Sequence, residues 1–163
     1  MFAVDDKVMY GIIGVCKVEA IDTPPITGVT GEYYFLQPVF DDRGLIYSPV
    51  ENKVPMREIM SKDECDNLIE RAKNCQDDEI LSQKLSFNDY DNCIKSQDAD
   101  LLLHLIRFLY STKNARAKEL RKMKSMDNRV LATARKLLYG EMAVAMDRSF
   151  EQISNEMDGF LSC

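Results

Sequence analysis

The sequence predicts an α+β protein: a small β-domain over residues 1–60, then an all-α domain of about five helices over 61–163. Three observations carry this. All five prolines (Pro24, Pro25, Pro38, Pro49 and Pro55) lie in the first 55 residues. Five of the seven glycines (Gly11, Gly14, Gly28, Gly31 and Gly44) lie there too. After Pro55 no proline occurs, and helix-capping residues recur instead. Dense proline and glycine punctuation separates short strands, and a long proline-free stretch suits helices. The boundary is expected near Met60.

In the first part, KVMY, GVCKVEAI, EYYFLQPVF and GLIYSPV are rich in Val, Ile, Tyr and Phe and read as strands. The stretch VPMREIM supplies a fifth, and TPPITGVTG is an open connection. Asp41–Gly44 (DDRG) reads as a hairpin loop with the glycine in a left-handed conformation. Five short strands in so small a span suggest a strongly bent sheet or an SH3-like barrel. In the second part, Ser61 with Glu64 and Ser149 with Gln152 form capping boxes. Ser86 with Asp89, Asp98 and Ser125 are the other expected caps. The third helix should bury Leu101, Leu102, Leu105, Ile106, Leu109 and Tyr110, spaced as a helical stripe. The fourth should bury Val130, Ala134, Leu137, Leu138 and Ala145. Gly140 falls inside that fourth helix, where close approach of a neighbouring helix would account for it.

The composition, 45% hydrophobic and 29% charged, fits a packed soluble protein. No apolar run is long enough to span a membrane. The opening MFAVDDKVMY has acids where a secretory leader carries bases, so a cytoplasmic location is expected. Five cysteines without a C-x-x-C pair argue against a disulfide framework or a zinc site and for a reducing compartment. Catalytic parts are scarce. His104 is the only histidine, and it sits beside the apolar stripe of the third helix. Gly11 and Gly14 form only G-x-x-G, with neither a following lysine nor a helix. Turn and cap roles account for Asp5-Asp6, Asp41-Asp42 and Asp77-Asp78-Glu79. The expectation is a non-enzyme with no cofactor, no metal and no small-molecule substrate.

Charge is distributed unevenly. The chain has a net charge of −6, yet residues 101–140 carry ten basic and two acidic side chains. Within Ala115–Lys136 lie Arg116, Lys118, Arg121, Lys122, Lys124, Arg129, Arg135 and Lys136, opposed by Glu119 and Asp127. A basic segment in an acidic chain is a candidate polyanion footprint. A solvated helical face is the plainer alternative.

The residues also carry a resemblance. FAVDDKVMYGIIGVCKVEAI resembles the opening of the CarD/CdnL family of bacterial transcription regulators. EYYFLQPVF followed by LIYSPVEN, with its Pro-x-Glu-Asn turn at Pro49–Asn52, is similar to that family's next elements. LATARKLLYGEMAVA is similar to its Leu-Ala-x-Ala-Arg-x-Leu-Leu-x-x-Glu-Leu-Ala helix, and DADLLLHLIRFLY to the helix before it. The resemblance implies a Tudor-like N-terminal domain that binds the β-subunit lobe of RNA polymerase. It further implies a helical domain that contacts promoter DNA at the upstream edge of the melted region and stabilises the open complex. Localisation would then be cytoplasmic, at the nucleoid through the polymerase.

On that footing Gly44, Leu45, Ile46, Tyr47, Ser48 and Pro49 are the candidate polymerase-docking edge. Arg116, Lys118, Arg121, Lys122, Lys124, Arg129 and Lys136 are the candidate phosphate contacts. Arg135 and Arg107 are set aside for structural ion pairs. The alternative function is a protein-interaction module without direct DNA contact. Two departures stand out. Family members commonly carry a tryptophan wedge before the long helices, and this chain has no tryptophan. Leu85 and Phe87 are the candidate apolar substitutes, with core packing as the competing role. Tyr47 stands where an arginine is frequent, so an arginine–carboxylate contact is not carried over.

Overall fold

The computed structural model describes residues 1–51 and 54–163. Asn52, which ends the Pro-x-Glu-Asn turn, lies outside the described residues. The chain divides into two compact units, Met1–Ile59 and Met60–Cys163.

The first unit is an antiparallel sheet of β1 (Lys7–Tyr10), β2 (Gly14–Asp22), β3 (Tyr33–Pro38), β4 (Ile46–Pro49) and β5 (Met56–Glu58). The strand order is β4-β3-β2-β1-β5. The long strand β2 serves two neighbours, β1 through its first half and β3 through most of its length. Its register shifts between Val18 and Ala20, and such a bulge bends the strand so that a small sheet can fold over its own core. That core holds Val8, Tyr10, Cys16, Val18, Tyr34 and Leu36. The alternation in β3, with Tyr34 and Leu36 inside and Tyr33 and Phe35 outside, is the period-two pattern of a half-buried strand.

Gly11 opens the β1–β2 turn at φ 49° and donates its N–H to the Pro55 carbonyl at 2.9 Å. A Cβ there would come within 3.0 Å of the Val54 side chain. The G-x-x-G pair is thus a hairpin device and no phosphate loop. At the other hairpin, the Asp41 carboxylate accepts from the backbone N–H and the guanidinium of Arg43 at 3.1 and 2.8 Å. Gly44 follows at φ 85°, in the left-handed region expected for it.

The second unit contains α1 (Lys62–Lys73), α2 (Phe87–Lys95), α3 (Ala99–Lys118), α4 (Ser125–Met146) and α5 (Phe150–Leu161). Ser61 and Glu64, and likewise Ser149 and Gln152, form the reciprocal bonds of capping boxes. Asp98 accepts from the N–H groups of Asp100 and Leu101. The Asp89 carboxylate accepts from the N–H and hydroxyl of Ser86 at 2.7 and 2.9 Å, and these bonds hold its carboxyl below the usual range. Ser125 is no cap. It is the first helical residue of α4, and the extended position before it is Lys124, whose side chain makes no capping bond.

Helix α3 packs on α4, α4 on α5, and α1 on α3, α4 and α5. The buried face of α3 is centred on Leu102, Leu105, Ile106 and Leu109 and also includes Leu103 and His104. Leu101 is 40% exposed. The other five residues of the expected stripe, Leu102, Leu105, Ile106, Leu109 and Tyr110, are buried; Leu101 is the exception because it lies in the first turn of a helix that begins at Ala99. In α4, Ala134, Leu137 and Leu138 are buried, whereas Val130 and Ala145 are only half-buried. Gly140 is buried within α4. No helix among the described residues is long and apolar enough to cross a membrane.

Candidate functional site

Two surfaces, one on each unit, hold the residues singled out by sequence. On the sheet, β4 is the terminal strand of the order, paired on one side with β3. The pairing fixes which backbone groups face outward. Val50 donates its N–H to Glu32 at 3.1 Å, and Ser48 and Ile46 continue the same ladder opposite Tyr34 and Leu36. By the period of two, Leu45, Tyr47 and Pro49 turn their backbone groups away from β3. Proline has no N–H to give. The outward donors of Gly44–Pro49 therefore reduce to Leu45 and Tyr47.

The side chains sort the same way. Ser48 is buried and Ile46 packs on the core, while the Tyr47 ring sits edge-on to Phe35 at 4.8 Å between centroids. Leu45 is 45% exposed. Pro49 on the strand end limits unwanted edge pairing.

On the helical unit, the basic residues gather where α3 turns into α4. Arg116 and Lys118 close α3, Arg121, Lys122 and Lys124 form the loop, and Arg129 lies in the first turns of α4. They are not equivalent. The Arg116 Nε donates to the Lys122 carbonyl at 2.8 Å, so this side chain braces the loop. Arg121 lies 3.6 Å from the Glu119 carboxylate. Lys136 is half-buried and two turns, about 10 Å, beyond Arg129; it does not join the tip. Lys118, Lys122, Lys124 and Arg129 are exposed, and their side chains form no ion pair among the described residues.

Arg135 makes the structural ion pair expected of it. Its guanidinium donates to both Asp158 oxygens, the shorter contact 2.6 Å, and lies 5.5 Å from the Tyr139 ring centroid. The Tyr139 hydroxyl donates to the same carboxylate at 2.9 Å. Burial, with the Asp158 charge beside it, pushes the Tyr139 hydroxyl far above its usual range. Arg107 departs from expectation. It pairs with no Asp or Glu side chain among the described residues; its guanidinium donates to the main-chain oxygens of Leu161 and Cys163 at the end of α5.

Of the two candidate wedge residues, Leu85 is half-buried and Phe87 is 62% exposed. Core packing therefore does not describe Phe87. It sits at the start of α2 with its ring 6.1 Å from that of Tyr90. His104 is buried, with Nε2 2.9 Å from the Gln83 carbonyl oxygen. A carbonyl only accepts, so Nε2 carries hydrogen there and the ring is a structural tie. Among the described residues no cluster of three or more His, Cys, Asp or Glu could hold a metal ion.

Two residues escaped the sequence reading. Glu141 is fully buried, and its carboxylate accepts from the Met60 N–H at 2.7 Å, fixing the chain just ahead of α1. Its place in the Leu-Leu-x-x-Glu pattern of the family it resembles was the only signal. Leu120 is 96% exposed at φ 57° in the middle of the basic loop. In Lys-Glu-Leu-Arg-Lys it reads as one apolar residue of a helix, and nothing in the letters marks it out.

Residues 2–60 match the family model of the CarD-like/TRCF RID domain. That domain is an RNA polymerase-interacting, non-catalytic domain. The match spans the whole sheet, the β4 edge included, and the N-terminal unit of this chain is thus similar to the RNA polymerase-interacting domain of CarD-like proteins.

Proposed function

We propose that the protein is a transcription regulator that docks on the β-subunit lobe of RNA polymerase through β4 and contacts promoter DNA through the α3–α4 tip. In this scheme the DNA contact stabilises the open complex. The observation that carries the proposal is the pairing of a polymerase-interacting domain with a separate helical unit bearing unpaired cations at one tip. Strand addition at a sheet edge is a general docking mode, in which backbone bonds supply affinity. Leu45 and Tyr47 are the residues that would form them. Lysine and arginine contacts to phosphates give affinity without sequence preference. Docking raises the local concentration of the tip at the promoter, and the acidic remainder of the chain disfavours binding elsewhere.

The test uses full-length protein and polymerase. Tyr47→Pro, which removes an outward N–H, should abolish co-elution with core enzyme. Lys118→Glu/Lys122→Glu/Lys124→Glu should co-elute normally but shorten the lifetime of the promoter complex. Normal co-elution of Tyr47→Pro would reject β4 as the docking edge. The second reading, a basic tip that meets an acidic protein surface, draws support from the absence of tryptophan. Unchanged promoter-complex lifetime in the triple variant would favour it.

A further inference from the structure

The last carbonyls of a helix have no partner within it. At the end of α5 two of them are met by sulfur. The Cys75 thiol donates to the Phe160 carbonyl at 3.3 Å, and the Cys163 thiol to the Gly159 carbonyl at 3.1 Å. Arg107 serves Leu161 and Cys163, and the Asn114 amide serves Ser162 at 2.7 Å. A thiol is a weak donor, and a serine hydroxyl would serve either carbonyl better. Capping alone is therefore a poor account of two cysteines at one helix end.

Their spacing gives a better one. Gly159 and Phe160 are neighbours in α5. From the rise and turn of a helix, the carbonyl oxygens of neighbouring residues lie about 3.4 Å apart. With each sulfur on its own carbonyl, the two sulfurs are at most about 10 Å apart. Burial pushes the Cys75 thiol up, Arg107 opposes that push, and Cys163 adds to it, so the two thiols also lie within electrostatic reach.

The two differ in access. Cys75 is 1% exposed, whereas Cys163 is exposed. Cys75 is fixed just past α1, where its N–H donates to the Ala72 carbonyl at 3.3 Å. Cys163 lies beyond Ser162, the cap of α5. Among the described residues its ties are the thiol contact and the Arg107 bond to its main-chain oxygen. A disulfide needs Cα atoms about 4.4–6.8 Å apart, which asks Cys163 to turn toward Cys75. An exposed thiol beside a buried one is the arrangement of an attacking and a resolving cysteine.

We propose that Cys163 and Cys75 are a peroxide-oxidised pair whose disulfide joins the end of α5 to the end of α1. The Cys163 sulfur attacks one oxygen of hydrogen peroxide. The O–O bond breaks, the other oxygen leaves as hydroxide and takes up the thiol proton, and Cys163 becomes a sulfenic acid. The Cys75 sulfur then attacks the Cys163 sulfur. The S–O bond breaks, and hydroxide leaves with the Cys75 proton as water. Two thiols lose two electrons and two protons, and the peroxide becomes two waters. A small thiol reverses the bond by exchange. Transient, redox-sensing disulfides are the kind found in reducing compartments. The bond closes a loop of about 90 residues containing α2 to α5 and constrains the unfolded chain. Oxidation thus stabilises the unit that carries the basic tip, whether that tip meets DNA or protein.

The test treats full-length protein with hydrogen peroxide and blocks remaining thiols with N-ethylmaleimide. Non-reducing peptide mapping reads the linkage, and thermal melting is followed with and without dithiothreitol. Wild type should yield a Cys75–Cys163 peptide from within one chain and melt about 10 °C higher, an effect dithiothreitol reverses. Cys75→Ser, which keeps a donor for the Phe160 carbonyl, should stop at a Cys163 sulfenic acid trapped by dimedone and show no rise. Cys163→Ser should leave Cys75 a free thiol. A Cys163–Cys163 link between two copies would overturn the pair. So would wild-type Cys163 carried on to sulfinic acid while Cys75 stays free, or peroxide that leaves both thiols unmodified.

Discussion

If the α3–α4 tip contacts DNA as proposed, the salt dependence of binding follows from which cations are already engaged. Each phosphate neutralised releases counterions, and the slope of log K against log salt is about −0.9 per contact on duplex DNA. Among the described residues Lys118, Lys122, Lys124 and Arg129 have no ion pair. Arg116 is held on a backbone carbonyl, Arg121 lies by Glu119, and Arg135 is bound to Asp158. Four contacts give a slope of about −3.6, so that raising salt from 0.1 to 0.3 M should weaken binding about 50-fold. If all seven candidate residues, Arg116 and Lys136 included, met phosphates, the slope would be about −6.3 and the loss about 1,000-fold. Anisotropy titrations of the full-length protein on a labelled promoter duplex, at five or six salt concentrations, separate the two. Lys122→Ala should flatten the slope by about one unit. A slope steeper than about −6 would refute the argument that engaged cations are unavailable. A slope near zero would refute phosphate contact altogether.

Further expectations concern the scaffold. Asp158→Asn should destabilise the helical unit by about 2 kcal/mol in urea denaturation, because it strips charge from a bidentate contact that is mostly shielded from water; a loss under 0.5 kcal/mol would show the network to be dispensable. Asp78 accepts from the N–H groups of Leu81 and Ile80 and from Arg71, and its carboxyl is held below the usual range, the Leu81 bond contributing most. As pH falls below about 4 the unfolded chain takes up the proton first, so the stability it supplies is present above that value and lost towards its lower folded pKa. Asp78→Asn should flatten the acid limb of the stability profile, and an unaltered limb would contradict the assignment. Cys65 is buried, and burial pushes its thiol up to about 12, with Glu141 adding to the shift. At pH 8 a thiol reagent should therefore label Cys163 rapidly in the native protein and the four buried cysteines only after denaturation. Fast native labelling of Cys65, read by peptide mapping, would count against that packing.

The strands were legible because Gly11, Gly14, Gly44 and the prolines each mark a break that no strand can cross. The helices were legible because a side chain that caps a helix does so within three residues, a relation the sequence displays directly. Ser125 misled because Lys124 can take the extended cap conformation without a capping side chain, so a serine nearby is not proof of a cap. The β4 edge could not be read from its own letters. Its exposure depends on the order of strands, which is set by pairing between distant segments. The basic cluster was visible as a count of charges, yet its division into braces and unpaired cations depends on Lys122, Glu119 and Asp158 lying within reach. Leu120 was invisible for a related reason: its oddity is a backbone angle.

The bond between Glu141 and Met60 also sets a clock. Met60 leaves the ribosome 81 residues ahead of the side chain that fixes it. At elongation rates of roughly 5–20 residues per second, that gap lasts about 4 to 16 s. Residues 1–59 close their pairings among themselves, so the sheet has all its partners in hand throughout the interval. The nascent chain would carry a finished polymerase-interacting domain on an unfinished helical one, and the order of synthesis delivers the docking surface before the charged tip.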